Sequence, residues 1–243
     1  MANPVINGTI NIDWFGDRKA YEQSNIKIIT VGLNPSGIEF GVDKKNKISD
    51  VNLRFKGITS PILTHPIKGD FANVWNNYFK ENPYKWFSQG FEHVLRGIDA
   101  SYGGKLLQNG KQVSYTAIHT DLCTPWATDP TWSKLPKSDQ QALIAPNDND
   151  FEEWITLVEE LKPDIIVFSV RREYWSKLEN LIDVKDWINL KNTFGGGHRN
   201  CWYRKGIYKL SDKNAVAILG ITTQRGPFGD LNDGEKETLG TYM

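Results

Sequence analysis

Ile28-Ile29-Thr30-Val31-Gly32-Leu33-Asn34-Pro35-Ser36 joins a strand-like run to a polar loop. An apolar, β-branched run stops abruptly at Gly-Leu-Asn-Pro-Ser. Such a run fits a strand buried on both faces of a parallel sheet, delivering a polar loop to its carboxyl end. In open α/β sheets that edge is where ligands bind. Asn and Pro also favour turns, so the segment by itself fits a plain turn equally well.

Three more short apolar runs share this character, at residues 115–119, 164–170 and 215–221. Their length and β-branched content favour strand over helix. Helical patterns lie between them. Residues 71–80 bring Phe71, Val74, Trp75, Tyr78 and Phe79 near one face, and residues 86–98 do the same with Phe87, Phe91, Val94, Leu95 and Ile98. Phe151, Trp154, Ile155, Val158 and Leu161 recur at helical spacing over 150–161. The acidic start of that segment suits the helix dipole, and Pro163 stops it. A short helix is expected over 172–181, and an extra edge strand over 201–210 after Gly195-Gly196-Gly197. Strands alternating with helices imply parallel pairing through right-handed crossovers. The expected fold is therefore α/β, a three-layer α/β/α sandwich with a central four-stranded parallel sheet, in a single domain over residues 1–243.

Composition narrows the function classes. Hydrophobic residues at 39% and charged residues at 24% predict a soluble globule with a real core. No apolar run approaches the ~20 residues that span a bilayer, and the N-terminus lacks the basic region and apolar core of a signal peptide. Cys123 and Cys201 are the two cysteines, which suits a reducing interior. No zinc-ligand spacing occurs, and no metal or cofactor is expected. Lys+Arg and Asp+Glu are equal at 29 each, so a globally basic nucleic-acid footprint is missing. Local basic groups remain at Lys44-Lys45-Asn46-Lys47, His198-Arg199, Arg204-Lys205 and Arg225.

Two further strand ends carry polar loops. The second run leads into Ala117-Ile118-His119-Thr120-Asp121-Leu122-Cys123-Thr124-Pro125, and the fourth into Gly220-Ile221-Thr222-Thr223-Gln224-Arg225-Gly226-Pro227-Phe228. Together with Gly32 to Ser36, these segments resemble, in order, the motifs of the uracil-DNA glycosylase superfamily. The likeness is closest to the single-strand-selective monofunctional and mismatch-specific branches. The first motif there is Gly-Met-Asn-Pro-Gly or Gly-Ile-Asn-Pro-Gly, and the second strand ends in Val-His-Asn-Leu-Cys-Pro. Residues 161–167, Leu-Lys-Pro-Asp-Ile-Ile-Val, also suit the superfamily's third strand. Two cysteines exclude its branches that carry a four-cysteine iron–sulfur cluster.

The resemblance implies roles. Asn34 falls where the water-positioning Asn stands, and Ser36 where the mismatch and single-strand-selective branches have a small residue. Alignment on Leu122-Cys123, two matched residues with a Pro soon after, puts Asp121 at the base-reading Asn, in preference to alignment on His119, which puts Thr120 there. The chain departs from the family at the last motif, His-Pro-Ser-Pro followed by a wedging side chain. There Gln224 takes the place of the catalytic His and Phe228 that of the wedge, with Arg225, Gly226 and Pro227 in the same DNA-binding loop. The missing His puts ordinary uracil excision in doubt. Residues 41–69 have no clear counterpart.

The chemistry of these residue types sharpens the expectation. Base excision requires a nucleotide flipped into a pocket. Asn34 orients water at C1′ through its amide but is no strong base. Ionised Asp121 accepts from an exocyclic amine such as cytosine N4 and repels uracil O4. Ser36 leaves room at C5 of the pyrimidine. Phe40, in preference to Phe55, is the expected stacking face, His119 supports the base-binding Asp121, and His198 and Arg199 are expected phosphate contacts. Each has a plain structural alternative: a turn cap for Asn34, a loop cap for Asp121, core for the aromatics.

The expected function is a monofunctional DNA glycosylase acting on a C5-modified cytosine. Such bases occur in viral genomes, so defence against modified viral DNA is the expected setting. DNA is the expected partner, the protein is expected to be a cytoplasmic monomer, nucleoid-associated if bacterial, and no membrane is involved. The alternatives are a uracil-DNA glycosylase in base-excision repair, a nucleic-acid-binding module without catalysis, and a small-molecule enzyme whose loops mimic the motifs.

Overall fold

The structure is a computed structural model. It describes residues 13–35, 70–81, 86–103, 112–123, 126–143, 151–192, 199–223 and 226–243. In chain order the main elements are α1 (Arg18–Gln23), β1 (Lys27–Gly32), α2 (Asp70–Glu81), a π-helical turn (Phe87–Phe91) running into α3 (Glu92–Gly97), β2 (Ala100–Tyr102) and β3 (Tyr115–Asp121). There follow α4 (Lys137–Leu143), α5 (Glu152–Leu161), β4 (Ile165–Val170), α6 (Trp175–Leu178), β5 (Ile182–Asn192), β6 (Arg199–Lys209), β7 (Asn214–Thr223), β8 (Gly226–Pro227) and α7 (Asp233–Gly240).

The sheet has the order β2-β3-β1-β4-β7-β6-β5, with β8 hairpinned onto β7. The α/β class expected from the sequence holds. The four expected strands sit side by side as β3-β1-β4-β7, all parallel. The sheet is nevertheless larger and mixed, which corrects the four-stranded parallel expectation. The short β2 adds a parallel strand at one edge, and β6 and β5 add an antiparallel pair at the other. Antiparallel strands can follow one another through short connections, so the final third of the chain needs no crossover helices.

Strict alternation along the central strands builds two cores, one on each face. Ile28, Ala117, Val167 and Ile218 point into the first, against Trp75, Tyr78 and Phe79 of α2, Val94 and Leu95 of α3, and Leu239 of α7. Ile29, Val31, Ile118, Ile166, Phe168 and Leu219 point into the second, against Tyr21 of α1, Trp154, Val158 and Leu161 of α5, and Trp175 and Leu178 of α6. Helices are held in place by local chemistry. Asp17 caps α1 by accepting from the Ala20 amide, and Asn232 and Glu235 form a reciprocal capping box on α7.

The edge strand β5 shifts register between Val184 and Asp186. Before the shift Ile182 stands opposite Tyr208 and joins the second core; after it Ile188 stands opposite Tyr203 and joins the first. One extra residue thus passes the strand's apolar set from one face of the sheet to the other. Beyond it, Trp187 and Trp202 are exposed at 54% and 49%, unlike Trp75, Trp132, Trp154 and Trp175, which are core. Among the described residues no helix is long and apolar enough to cross a membrane.

Candidate functional site

The three strand-end segments meet on one edge. Gly32, the last residue of β1, pairs with Asp121, the last of β3. The loops beyond remain zipped together: the Leu122 amide donates to the Gly32 carbonyl at 3.1 Å and the Cys123 amide to the Leu33 carbonyl at 2.9 Å. Asn34 follows directly, half-buried. Its amide nitrogen donates to the Trp126 carbonyl at 3.4 Å and to Thr128 Oγ1 at 3.3 Å, both in the loop after β3. Asn34 and Asp121 are therefore held side by side at the carboxyl ends of the neighbouring strands β1 and β3.

Gly32 is required by a close approach. A β-carbon there would lie 2.8 Å from Asp121 Oδ1 and 3.0 Å from His119 Nε2. His119 is 4% exposed, and the side chains of both His119 and Asp121 are deeply buried, with Nε2 and Oδ1 3.6 Å apart. Nδ1 of His119 lies 2.8 Å from Thr30 Oγ1, which in turn lies 2.5 Å from the Tyr102 hydroxyl. A line of buried polar groups thus runs from Tyr102 to Asp121 at the end of β3. Aromatic rings wall it: His119 meets Phe87 edge-on at 4.7 Å, Phe91 at 5.2 Å and Phe15 at 6.2 Å between centroids. The backbone of Phe15 also clasps that of His119 through two 2.8 Å hydrogen bonds.

Phe87 and Phe91 delimit the π-helical turn, a rare geometry that recurs at functional sites. That turn also packs on the hairpin after β7. A β-carbon at Gly90 would strike Pro227, and one at Gly226 would strike the Trp86 ring. Gly226 holds φ +97°, which favours glycine.

Phe228 is not a wedge. It is 0% exposed, and its ring lies edge-on to Phe91 at 5.7 Å and tilted against Tyr203 at 6.3 Å. It fills the space above Gly220, where any β-carbon would collide with it. Its amide donates to Ser169 Oγ of β4 at 3.2 Å. An aromatic side chain committed to the core in this way has no face to offer a duplex. Gly226 and Pro227 are half-buried under Trp86 and Gly90 rather than open to DNA. The remaining expected residues, Ser36, Phe40, His198, Gln224 and Arg225, lie outside the described residues, as does the Arg199 side chain. The Arg199 backbone opens β6, which runs antiparallel to β7 and so starts at the candidate-site edge.

Cys123 is buried, and burial pushes its thiol well above the ordinary range, so it is no candidate nucleophile. Among the described residues no group of three or more His, Cys, Asp and Glu side chains is disposed to hold a metal ion. The Tyr102–Thr30–His119 line escaped sequence reasoning. The sequence marks only His119; Thr30 sits mid-strand in an apolar run, and Tyr102 in a strand of three residues. Compared with protein-family models, with curated proteins and with solved structures, the chain finds no match.

Proposed function

We propose that the chain is a monofunctional DNA glycosylase that hydrolyses the N-glycosidic bond of a flipped, cytosine-type pyrimidine. The observation that carries this is the pairing of Gly32 with Asp121, which sets an amide-bearing loop and a buried carboxylate side by side at the ligand-binding edge of the sheet. Asn34 would hold the attacking water against C1′, a positioning role with no need of a strong base. Asp121 would accept from the exocyclic amine of the base. Space at C5 rests on Ser36, and help to the leaving base on Gln224, both from sequence alone.

A binder without catalysis is the second reading. It is favoured by the burial of Phe228, which removes one expected means of prising a base from a duplex. That burial also favours single-stranded or already unpaired substrates, where no wedge is needed.

The test is an abasic-site assay on single-stranded and duplex oligonucleotides. They carry uracil, cytosine, 5-methylcytosine or 5-hydroxymethylcytosine at one position. Alkali-labile sites at cytosine-type bases are expected. Binding without abasic sites on any substrate would establish the second reading instead, and abasic sites only at uracil would establish uracil excision.

A further inference from the structure

The geometry points to Tyr102 and Thr30 as positioning residues that fix the proton of His119 on Nε2, and thereby hold Asp121 as a pure acceptor for a 4-aminopyrimidine. The base-choice half rests on the function proposed above; the proton placement does not.

Tyr102 is wholly buried, and among the described residues its hydroxyl has Thr30 Oγ1 as partner, at 2.5 Å. A buried O–H with no acceptor costs the full loss of its hydration, so Tyr102 donates to Thr30. Thr30 has one hydroxyl proton, and His119 Nδ1 lies 2.8 Å from its oxygen. Thr30 therefore donates onward to Nδ1. The Nδ1 lone pair is used, so the proton of the neutral ring sits on Nε2.

That N–H faces Asp121 Oδ1 at 3.6 Å, slightly beyond hydrogen-bond length but with its positive edge toward the carboxylate. The other tautomer would set two lone pairs against each other in a buried site. The Asp121 carboxylate would then be pushed away from the imidazole and out of place as an acceptor for the ligand. A donor suits the 4-oxo group of uracil; an acceptor suits the 4-amino group of cytosine. Phe15, Phe87 and Phe91 around the imidazole restrict competing donors. The choice of base is thus set two residues back from the ligand, by hydroxyl groups that never touch it.

Two measurements test this. Two-bond proton–nitrogen correlation spectra of the uniformly 15N-labelled protein at neutral pH read the His119 tautomer directly, with His119→Gln to assign its signals. The Nε2–H form is expected in the wild type and is expected to give way in Thr30→Val, and in part in Tyr102→Phe. Thr30→Val keeps shape but removes the hydroxyl; Tyr102→Phe serves should that variant fail to fold. The excision ratio of cytosine-type base to uracil is expected to fall by about tenfold or more in Thr30→Val. An Nδ1–H or doubly protonated His119 in the wild type overturns the proton placement, whatever the enzyme excises. An unchanged ratio in both variants, or no excision of either base, overturns the base-choice half alone.

Discussion

Gly32 and Asp121 are ladder partners at the last rung shared by β1 and β3, so close that a β-carbon on residue 32 would stand 2.8 Å from the carboxylate. The atom it would displace is the end of a side chain, not backbone. The strands can therefore keep their register while the carboxylate is pushed aside. This separates the site's geometry from the fold's stability.

Gly32→Ala is accordingly expected to lower excision by ~100-fold through misplacement of Asp121. The overpacking should cost about 1–3 kcal/mol of stability and leave the protein folded. Single-turnover kinetics beside a urea melt would show it. Full activity in a folded variant would mean that Asp121 does not take part.

Asn34→Ala removes an amide that, among the described residues, is held by two long hydrogen bonds, at 3.3 and 3.4 Å. Excision in a single turnover should fall by at least ~100-fold, while affinity for the substrate oligonucleotide stays close to that of the wild type. Equal loss of binding and of rate would return Asn34 to the role of a turn cap for the loop after β3.

Much of this fold can be read from periodicity. The runs expected at 115–119, 164–170 and 215–221 are β3, β4 and β7, and the pattern at 150–161 is α5. What escaped has physical causes. β5 begins and ends with apolar and polar residues alternating, but the pattern breaks at Lys185-Asp186-Trp187-Ile188, where its bulge moves the apolar set between two cores. β2 is too short to show any period. Phe228 was placed by the logic of its motif, and nothing in Gly-Pro-Phe reveals that a side-chain-free position, Gly220, lies beneath it. That Asn34 and Asp121 share one edge of the sheet was legible because one follows a strand and the other ends one, each marked by abrupt loss of apolar residues.

Phe228→Ala tests the corrected role of that residue. A fully buried Phe replaced by Ala costs about 3–5 kcal/mol. Excision at temperatures where the variant remains folded should fall to a similar degree on single-stranded and duplex substrates. A loss confined to duplex would bring back the wedge.

Alkaline pH should unfold the protein sharply. Burial raises the hydroxyls of Tyr21, Tyr102 and Tyr174 well above the ordinary value of 10.0, and pushes Tyr208, also near Glu159, up to about 12. The unfolded chain therefore sheds these protons first. Stability is full below about pH 10 and is lost as pH rises from there toward the folded values. Tyrosinate absorbance should consequently show a late, cooperative step coinciding with loss of circular dichroism. A gradual titration of all nine tyrosines near pH 10, with the fold intact, would contradict the burial described here.

Asp121→Asn turns the same surroundings to the opposite choice of base. The His119 Nε2–H faces Oδ1, so an amide at 121 is expected to turn its carbonyl oxygen toward the imidazole and its NH2 toward the ligand. A donor then stands where an acceptor stood. The 4-amino group of cytosine loses its partner and meets another donor, while the 4-oxo group of uracil gains one. A well-made pair is worth ~1–3 kcal/mol of discrimination, so the preference should move by roughly ten- to a hundredfold toward uracil. Matched oligonucleotides differing only in that base, cleaved by wild type and variant, measure it. A wild type that prefers uracil, or a variant with unaltered preference, would remove Asp121 from base recognition. The carboxylate would then be a cap on the loop after β3, and Gly32 would be needed for packing alone.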